Sequence, residues 1–137
     1  MKKFLIFLFS IIVSFNSYGE WTKITKGVDG DSFYIDLDTI KENDGDVYWW
    51  GMADFHLSYK PLNSKYRWDK GVVSEKTYFQ GDCGIVRMKI LSRTFYQQGM
   101  IQGKGIPDNY TSSNDWTYPS PETIGKGLLD FVCDSLK

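Results

Sequence analysis

The chain has 137 residues, enough for one domain and short for two. Its 16 basic and 17 acidic residues give a formal charge of −1, without the surplus of cations that nucleic-acid-binding proteins use to neutralise phosphates. One histidine and two cysteines leave little material for a zinc site or a histidine-based catalytic centre. Aromatic residues, at 17%, are the unusual part of the composition.

The amino-terminal segment has the pattern of an export signal. Two lysines precede the apolar run FLIFLFSIIV at positions 4–13, and the small residues Ser17 and Gly19 follow it. The run is too short for a membrane-spanning helix, which needs about 20 residues. We predict a signal peptide over residues 1–19 that is cleaved before Glu20, with an uncleaved anchor as the alternative.

Export sets expectations for the mature chain. We expect a single domain over residues 20–137 that is periplasmic, with secretion or display at the cell surface as alternatives. No cysteine lies near the predicted cleavage point, so we expect no lipid anchor in the membrane.

The only cysteines, Cys83 and Cys133, would meet an oxidising compartment in which disulfides persist. Their single intramolecular pairing closes a loop of about fifty residues and would contribute about 4 kcal/mol in the chain-entropy model. An intermolecular bridge and a redox pair are the alternatives, although no Cys-x-x-Cys spacing supports the redox pair. We favour a structural disulfide.

The first half of the mature chain alternates short apolar runs with turn residues, which is typical of antiparallel sheet. We predict strands at 21–25 and 32–36, followed by a helical turn at 37–41. Asn, Asp and Gly tolerate left-handed backbone angles, so the NDGD sequence at 43–46 predicts a reversal. A long strand is predicted at 47–57.

The second half continues the sheet pattern and then changes period. We predict strands at 72–79 and 85–98 separated by Gln80-Gly81-Asp82, a short last strand at 100–102, and a polar, mobile connection at 103–114. Ser120 is expected to cap a helix with Pro121 in its first position. Apolar residues then recur at helical spacing: Leu128, Leu129, Val132 and Leu136.

These elements predict an α+β fold, with an antiparallel sheet of five or six strands and a C-terminal helix packed on one face. Cys133 lies in the predicted helix, so a disulfide to Cys83 would fasten that helix to the sheet.

Several features, in this order along the chain, resemble the surface-adhesin protein E family. They are Trp21, Tyr34-Ile35-Asp36 before 37–40, Trp49-Trp50, Asp82-Cys83 before Arg87, Tyr96, and Trp116 with Pro119, Ser120 and Val132-Cys133. The resemblance implies a six-stranded antiparallel sheet, a C-terminal helix joined to it by a disulfide, and the option of homodimerisation. The family's name-giving member is an outer-membrane lipoprotein that binds host matrix and serum proteins. This chain has no lipidation cysteine, and no binding residue can be transferred to it.

Catalytic and metal-binding interpretations receive little support. Asp54 and His56 could form a base and its orienting carboxylate, but with Ser58 they follow one strand face and point in parallel rather than converging. Four acidic residues could suggest calcium, yet their spacing does not match an EF-hand loop, and turn or helix-start roles explain most of them. These four are Asp29, Asp31, Asp36 and Asp38.

The aromatic residues remain as functional candidates. Seven exceed what one small core obviously needs, although core packing is a competing explanation for them. These are Tyr48, Trp50, Tyr59, Tyr66, Trp68, Tyr110 and Trp116. Because Tyr, Trp and Arg supply binding energy at interfaces, we nominate Tyr59, Tyr66, Arg67 and Trp68 as candidate protein-binding residues.

The sequence therefore predicts an exported, non-enzymatic protein that binds another protein and uses no cofactor, metal or nucleic acid. The alternative is a homodimeric periplasmic component of envelope structure or assembly.

Overall fold

The computed structural model describes residues 20–55, 71–108 and 115–137. In this part of the chain, seven strands form one antiparallel sheet, in the order β1-β2-β4-β5-β6-β7, with β3 paired to β4. One helix, α1, follows the sheet. The elements are β1 (Trp21–Lys26), β2 (Ser32–Asp36), β3 (Lys41–Asn43), β4 (Asp46–Asp54), β5 (Ser74–Asp82), β6 (Arg87–Tyr96), β7 (Ile106–Pro107) and α1 (Ile124–Ser135). The predicted α+β fold is confirmed.

The hairpin between β3 and β4 forms where the sequence predicts a reversal. Asp44 and Gly45 occupy its tip with φ angles of 51° and 84°. Two consecutive positive φ angles match the right-handed twist of the flanking strands. The strand before this hairpin, β3, was not predicted.

The helical turn predicted at 37–41 is a 3₁₀ turn over Leu37–Thr39. The Asp36 carboxylate caps it by accepting a hydrogen bond from the backbone N–H of Asp38 at 3.2 Å. This capping role accounts for one of the four acidic residues considered as calcium ligands.

The main core lies between the sheet and α1. Odd-numbered residues of β4, including Val47 and Trp49, point to this face and are almost completely buried. Trp49 stacks on Phe79 of β5 with 5.1 Å between ring centroids. Leu129 and Val132 of α1 close over these residues. The apolar face of α1, which the helical spacing in the C-terminal sequence predicts, thus covers the sheet.

A disulfide joins Cys83, in the turn after β5, to Cys133 of α1. The Cα atoms are 5.9 Å apart, and the residues are 50 positions apart in sequence. The predicted intramolecular pairing is confirmed, and it fastens the helix to the sheet.

The turn between β5 and β6 was placed three residues too early. The chain does not turn at Gln80-Gly81-Asp82, because β5 continues to Asp82 and Gly81 pairs with Val47 of β4. The turn instead comprises residues 83–86. Two N–H groups in this turn, those of Gly84 and Ile85, donate to the Asp82 carboxylate at 3.0 and 3.1 Å.

The prediction of a strand at 100–102 is wrong. A 3₁₀ turn forms over Gly99–Ile101, with Met100 and Ile101 at φ angles of 55° and 53°. Side chains hold this turn: the Asp54 carboxylate accepts from the N–H of Met100, and the Ser74 hydroxyl accepts from the N–H of Ile101. The last strand is β7, which lies within the segment predicted as a polar connection. It pairs with β6.

The helix also begins later than predicted. Thr123, rather than Ser120, is the cap, and its hydroxyl accepts from the N–H of Lys126 at 3.3 Å. The carbonyl of Ser120 accepts from the same hydroxyl at 2.7 Å. Glu122, between them, has a φ of 65° that no helix accommodates, so α1 starts only at Ile124.

Candidate functional site

The sheet face opposite α1 carries a row of stacked aromatic side chains. Strand alternation turns Trp50 away from the core that holds Trp49, and Tyr78 is its direct partner across β4 and β5. The Trp50 and Tyr78 rings stack with centroids 4.8 Å apart. Tyr48 extends the row, with its ring 6.2 Å from that of Tyr78. All three rings are partly exposed.

A cation completes this row. The Lys76 ammonium lies 4.4 Å from the centroid of the Trp50 ring. Such contacts contribute about 0.5–1 kcal/mol at exposed sites and restrict a side chain that would otherwise move freely. We refer to Tyr48, Tyr78, Trp50 and Lys76 as the aromatic ladder.

Hydrogen bonds made by neighbouring side chains fix the strands that carry the ladder. The N–H of Trp50 donates to the Thr39 hydroxyl at 3.0 Å, and this hydroxyl donates to the carbonyl of Asp36 at 2.7 Å. At the Tyr48 end, the Gln80 side-chain amide donates to the Asp46 carboxylate at 2.7 Å. The rings therefore stand on strands that are held on both sides.

A second aromatic group lies at the edge of the same face. Trp116 is covered by the Arg87 guanidinium at 4.1 Å and by the Lys89 ammonium at 4.6 Å from its ring centroid. Two backbone hydrogen bonds between Met88 and Thr117, of 2.9 and 2.8 Å, hold the Trp116 segment against β6. We refer to Trp116, Arg87 and Lys89 as the Trp116 cluster.

The ladder and the cluster are parts of one surface. Gln80 of β5 is paired with Tyr48 on one side and with Lys89 on the other. Paired residues of an antiparallel sheet project to the same face, so Gln80 connects the two groups. The aromatic face, defined as ladder, Gln80 and cluster, thus crosses β4, β5 and β6 and reaches the edge segment.

Electrostatics keep Arg87 in place and charged. Partial burial alone would lower the pKa of Arg87, but its hydrogen bonds to Tyr118 and Asp82 outweigh this effect and raise the pKa. The N–H of Ile85 is the largest of several donors that hold the pKa of Asp82 below its usual value, and Arg87 adds to it through a 3.2 Å ion pair. The cation over Trp116 is therefore permanent at any ordinary pH.

The residue types of this face are those common at protein interfaces. Tyr, Trp and Arg are the residues that most often dominate the energetics of protein interfaces. In the described part of the chain, no group of three or more His, Cys, Asp or Glu side chains could hold a metal ion. Asp54, considered above as a catalytic carboxylate, binds the N–H of Met100 at 2.8 Å and so supports a turn.

Some of the residues singled out from the sequence lie on the aromatic face, and others lie outside the described residues. Tyr48, Trp50 and Trp116, which were singled out as surplus aromatics, lie on one face as described above. The nominated Tyr59, Tyr66, Arg67 and Trp68, together with His56 and Tyr110, lie outside the described residues.

Two members of the ladder, Tyr78 and Lys76, were missed. Alternation within the predicted strand at 72–79 places Lys76 and Tyr78 on the same face of that strand. It does not show that this face carries Trp50, because that depends on the register between β4 and β5.

No helix in residues 20–55, 71–108 or 115–137 has the length and apolar character needed to cross a bilayer.

Solved structures with a similar fold include three of Haemophilus influenzae protein E. A second crystal form of that protein is 16% identical, with a TM-score of 0.63, over 86% of this chain and 89% of that one. Another structure of it is 17% identical, with a TM-score of 0.61, over 86% of each chain. Protein E from a non-typeable strain is 16% identical, with a TM-score of 0.56, over 85% of this chain and 76% of that one. At such identities the likeness establishes the fold alone.

A comparison with curated protein sequences finds no match. A family model, that of surface-adhesin protein E, matches residues 21–134, which include every strand and almost all of α1. The chain therefore belongs to the surface-adhesin protein E family.

Proposed function

We propose that this chain is an exported, non-enzymatic adhesin-like protein that binds another protein through the aromatic face. Membership of an adhesin family supports a binding role, and the export signal predicted over residues 1–19 supports a location outside the cytoplasm. Host matrix and serum proteins are the class of partner that the family suggests.

The observation that carries the proposal is the stacking of Trp50 on Tyr78 beneath a cation, on the side of the sheet away from α1. Rings that are already stacked lose little conformational freedom when a partner covers them, so more of the contact energy remains as affinity. Interface hot spots are usually such rigid aromatic anchors.

The test is a double variant, Trp50→Ala with Tyr78→Ala, assayed for binding to immobilised matrix and serum proteins. Phe131→Ala is the matched control, because Phe131 is an aromatic side chain of α1 that is 36% exposed. We expect the double variant to lose at least tenfold in affinity, since a single hot spot contributes about 2 kcal/mol or more. Retained binding by a double variant with native circular dichroism would contradict the proposal.

Localisation decides the class of partner. Protease shaving of intact cells that removes the protein, or its appearance in the medium, would support contact with host proteins. Protection from protease followed by release on osmotic shock would place the protein in the periplasm and turn the search to envelope proteins.

A second candidate surface includes Tyr59, Tyr66, Arg67 and Trp68. In sequence, these residues belong to the segment that connects β4 and β5, the two strands that carry the aromatic ladder. We expect Tyr66→Ala with Trp68→Ala to weaken binding to the same partner. A variant that folds normally and binds like the wild type would remove this segment from the proposed surface.

The alternative function, a homodimeric periplasmic component, would use the same aromatic face between two copies of the chain. Size-exclusion chromatography with light scattering separates the two functions. A dimer that becomes a monomer on substitution of Trp50 and Tyr78 would favour the alternative, whereas a monomeric wild type would exclude it.

A further inference from the structure

A cavity of about 360 Å³ lies on the opposite side of the molecule from the aromatic face, beside the disulfide. Its floor is apolar: Val47 and Leu129 lie beneath it, almost completely buried, and the partly exposed Val86 and Leu136 supply the apolar surface that a ligand can reach. Cys83 and Cys133 also line the cavity. The volume is in the range of sites that bind small ligands or single side chains, and the apolar floor favours an aliphatic group.

The rim of the cavity is acidic. It carries the carboxylates of Glu42, Asp130 and Asp134 and one cation, Lys137. Asp130 is paired with Lys126 at 2.5 Å and Asp134 with Lys137 at 3.0 Å, and the two carboxylates are 51% and 69% exposed. Exposed pairs of this kind contribute about 0–1 kcal/mol, so an arriving cation can replace the lysines at little cost.

Glu42 adds a carboxylate from a different element, β3. Within the described residues, the ion pairs involve other carboxylates, and none of them includes Glu42. The acidic groups therefore face the cavity from both the helix and the β3–β4 hairpin.

The C-terminal end of α1 also favours a cation in the cavity. Its last turn lies at the cavity, where Leu136 follows the final residue, Ser135, and lines the wall. The C-terminal end of a helix carries a partial negative charge of about half an elementary charge, which favours cations.

From the apolar floor, the acidic rim and the helix terminus together, we infer that the cavity binds an alkyl cation, namely a lysine or arginine side chain presented by a partner protein. The aliphatic stem would cover Val86 and Leu136, and the charged end would meet the carboxylates at the rim. The choice of a protein as the source rests on the proposed binding function, whereas the cation preference rests on the cavity alone.

The test uses the full mature chain, labelled with ¹⁵N, and a neutral-capped peptide with a central lysine flanked by glycines. We expect amide shifts confined to the surroundings of Glu42, Cys83 and Leu129. A matched peptide with norleucine in place of lysine should produce much smaller shifts, and hexylammonium should compete with the lysine peptide at the same amides.

The matched variants are Asp130→Asn with Asp134→Asn, and Asp29→Asn as a control at an exposed turn position. We expect the double variant to bind the lysine peptide about fivefold more weakly, as the loss of two exposed ion contacts predicts, and the control to bind normally. Equal binding by the norleucine peptide, or normal binding by the double variant, would overturn the inference. Shifts with hexylammonium but none with the lysine peptide would overturn the assignment to a partner side chain.

The same titration on the Trp50→Ala, Tyr78→Ala variant separates this inference from the proposed function. Peptide binding should persist there, because the aromatic face lies on the other side of the sheet. If this variant binds the lysine peptide and also binds partner proteins normally, the role of the aromatic face is contradicted and the cavity inference stands.

Discussion

Leu129 of α1 packs directly onto the bare backbone of Gly81 in β5. A Cβ atom at Gly81 would lie 2.6 Å from Cδ1 of Leu129 and 3.0 Å from Cζ3 of Trp49. Glycine is therefore needed here because the helix and the buried tryptophan approach the strand closely, although the backbone is an ordinary strand.

We expect Gly81→Ala to lower the free energy of unfolding by about 1–3 kcal/mol, the usual cost of overpacking a core. Gly127→Ala is the control, because a Cβ there meets nothing within 4 Å and alanine favours the helix by about 1 kcal/mol. Chemical denaturation should show opposite signs for the two variants. A neutral Gly81→Ala would mean that the helix can shift away from the sheet.

Removal of the disulfide should destabilise the protein strongly. We expect Cys83→Ser with Cys133→Ser to lose about 2–5 kcal/mol, since the bond closes a loop of 50 residues. Comparing melting temperatures in oxidising and reducing buffer checks the same point in the wild type. An unchanged melting temperature on verified reduction would show that packing alone holds the helix.

Ser74 should be a stability determinant despite its small side chain. Its hydroxyl is fully buried, donates to the carbonyl of Gln98 at 2.5 Å and accepts from the N–H of Ile101 at 2.9 Å. Ser74→Ala would leave both backbone groups without this partner, so we expect a loss of about 1–3 kcal/mol. Ser92→Ala, at an exposed position of β6, should change stability by less than about 0.5 kcal/mol.

Asp82 should make stability fall in acid. Its pKa is lowered in the folded protein, chiefly by the N–H of Ile85, so the folded state binds this proton less readily than the unfolded chain does. The contribution is present above the unfolded pKa of about 3.9 and is lost as the pH falls through the lower folded value.

Asp82→Asn should therefore be less stable than the wild type at pH 7, and the two should converge as the pH is lowered toward 2. Urea titrations at a series of pH values measure this difference. A constant gap between the two proteins down to pH 2 would show that the charge of Asp82 is not involved.

The sequence predicted most elements but not several of their ends. Strands and the NDGD reversal follow from local patterns, and the helix follows from the spacing of Leu128, Leu129 and Val132. The local pattern wrongly predicts a turn at Gly81. Glycine is needed there because α1, which begins more than forty residues later in the chain, packs against the strand.

The same limit applies to the aromatic face. Composition pointed to Tyr48, Trp50 and Trp116, yet their grouping depends on the pairing of β4 with β5 and on the bridge between Met88 and Thr117. The turn at 99–101 was missed for a similar reason, since the groups that stabilise it belong to Asp54 and Ser74 on other strands. The local pattern of a single sequence does not specify which distant strands and segments pair, whereas two lone cysteines left one possible intramolecular disulfide.

The position of α1 after every strand of the described sheet has a consequence for folding. Until this 12-residue helix docks, the apolar side of the sheet, with Trp49, lacks its cover. Incompletely folded chains can associate through such a surface. The docking of α1 and its capture by Cys83 are thus the steps that protect the folding protein from aggregation.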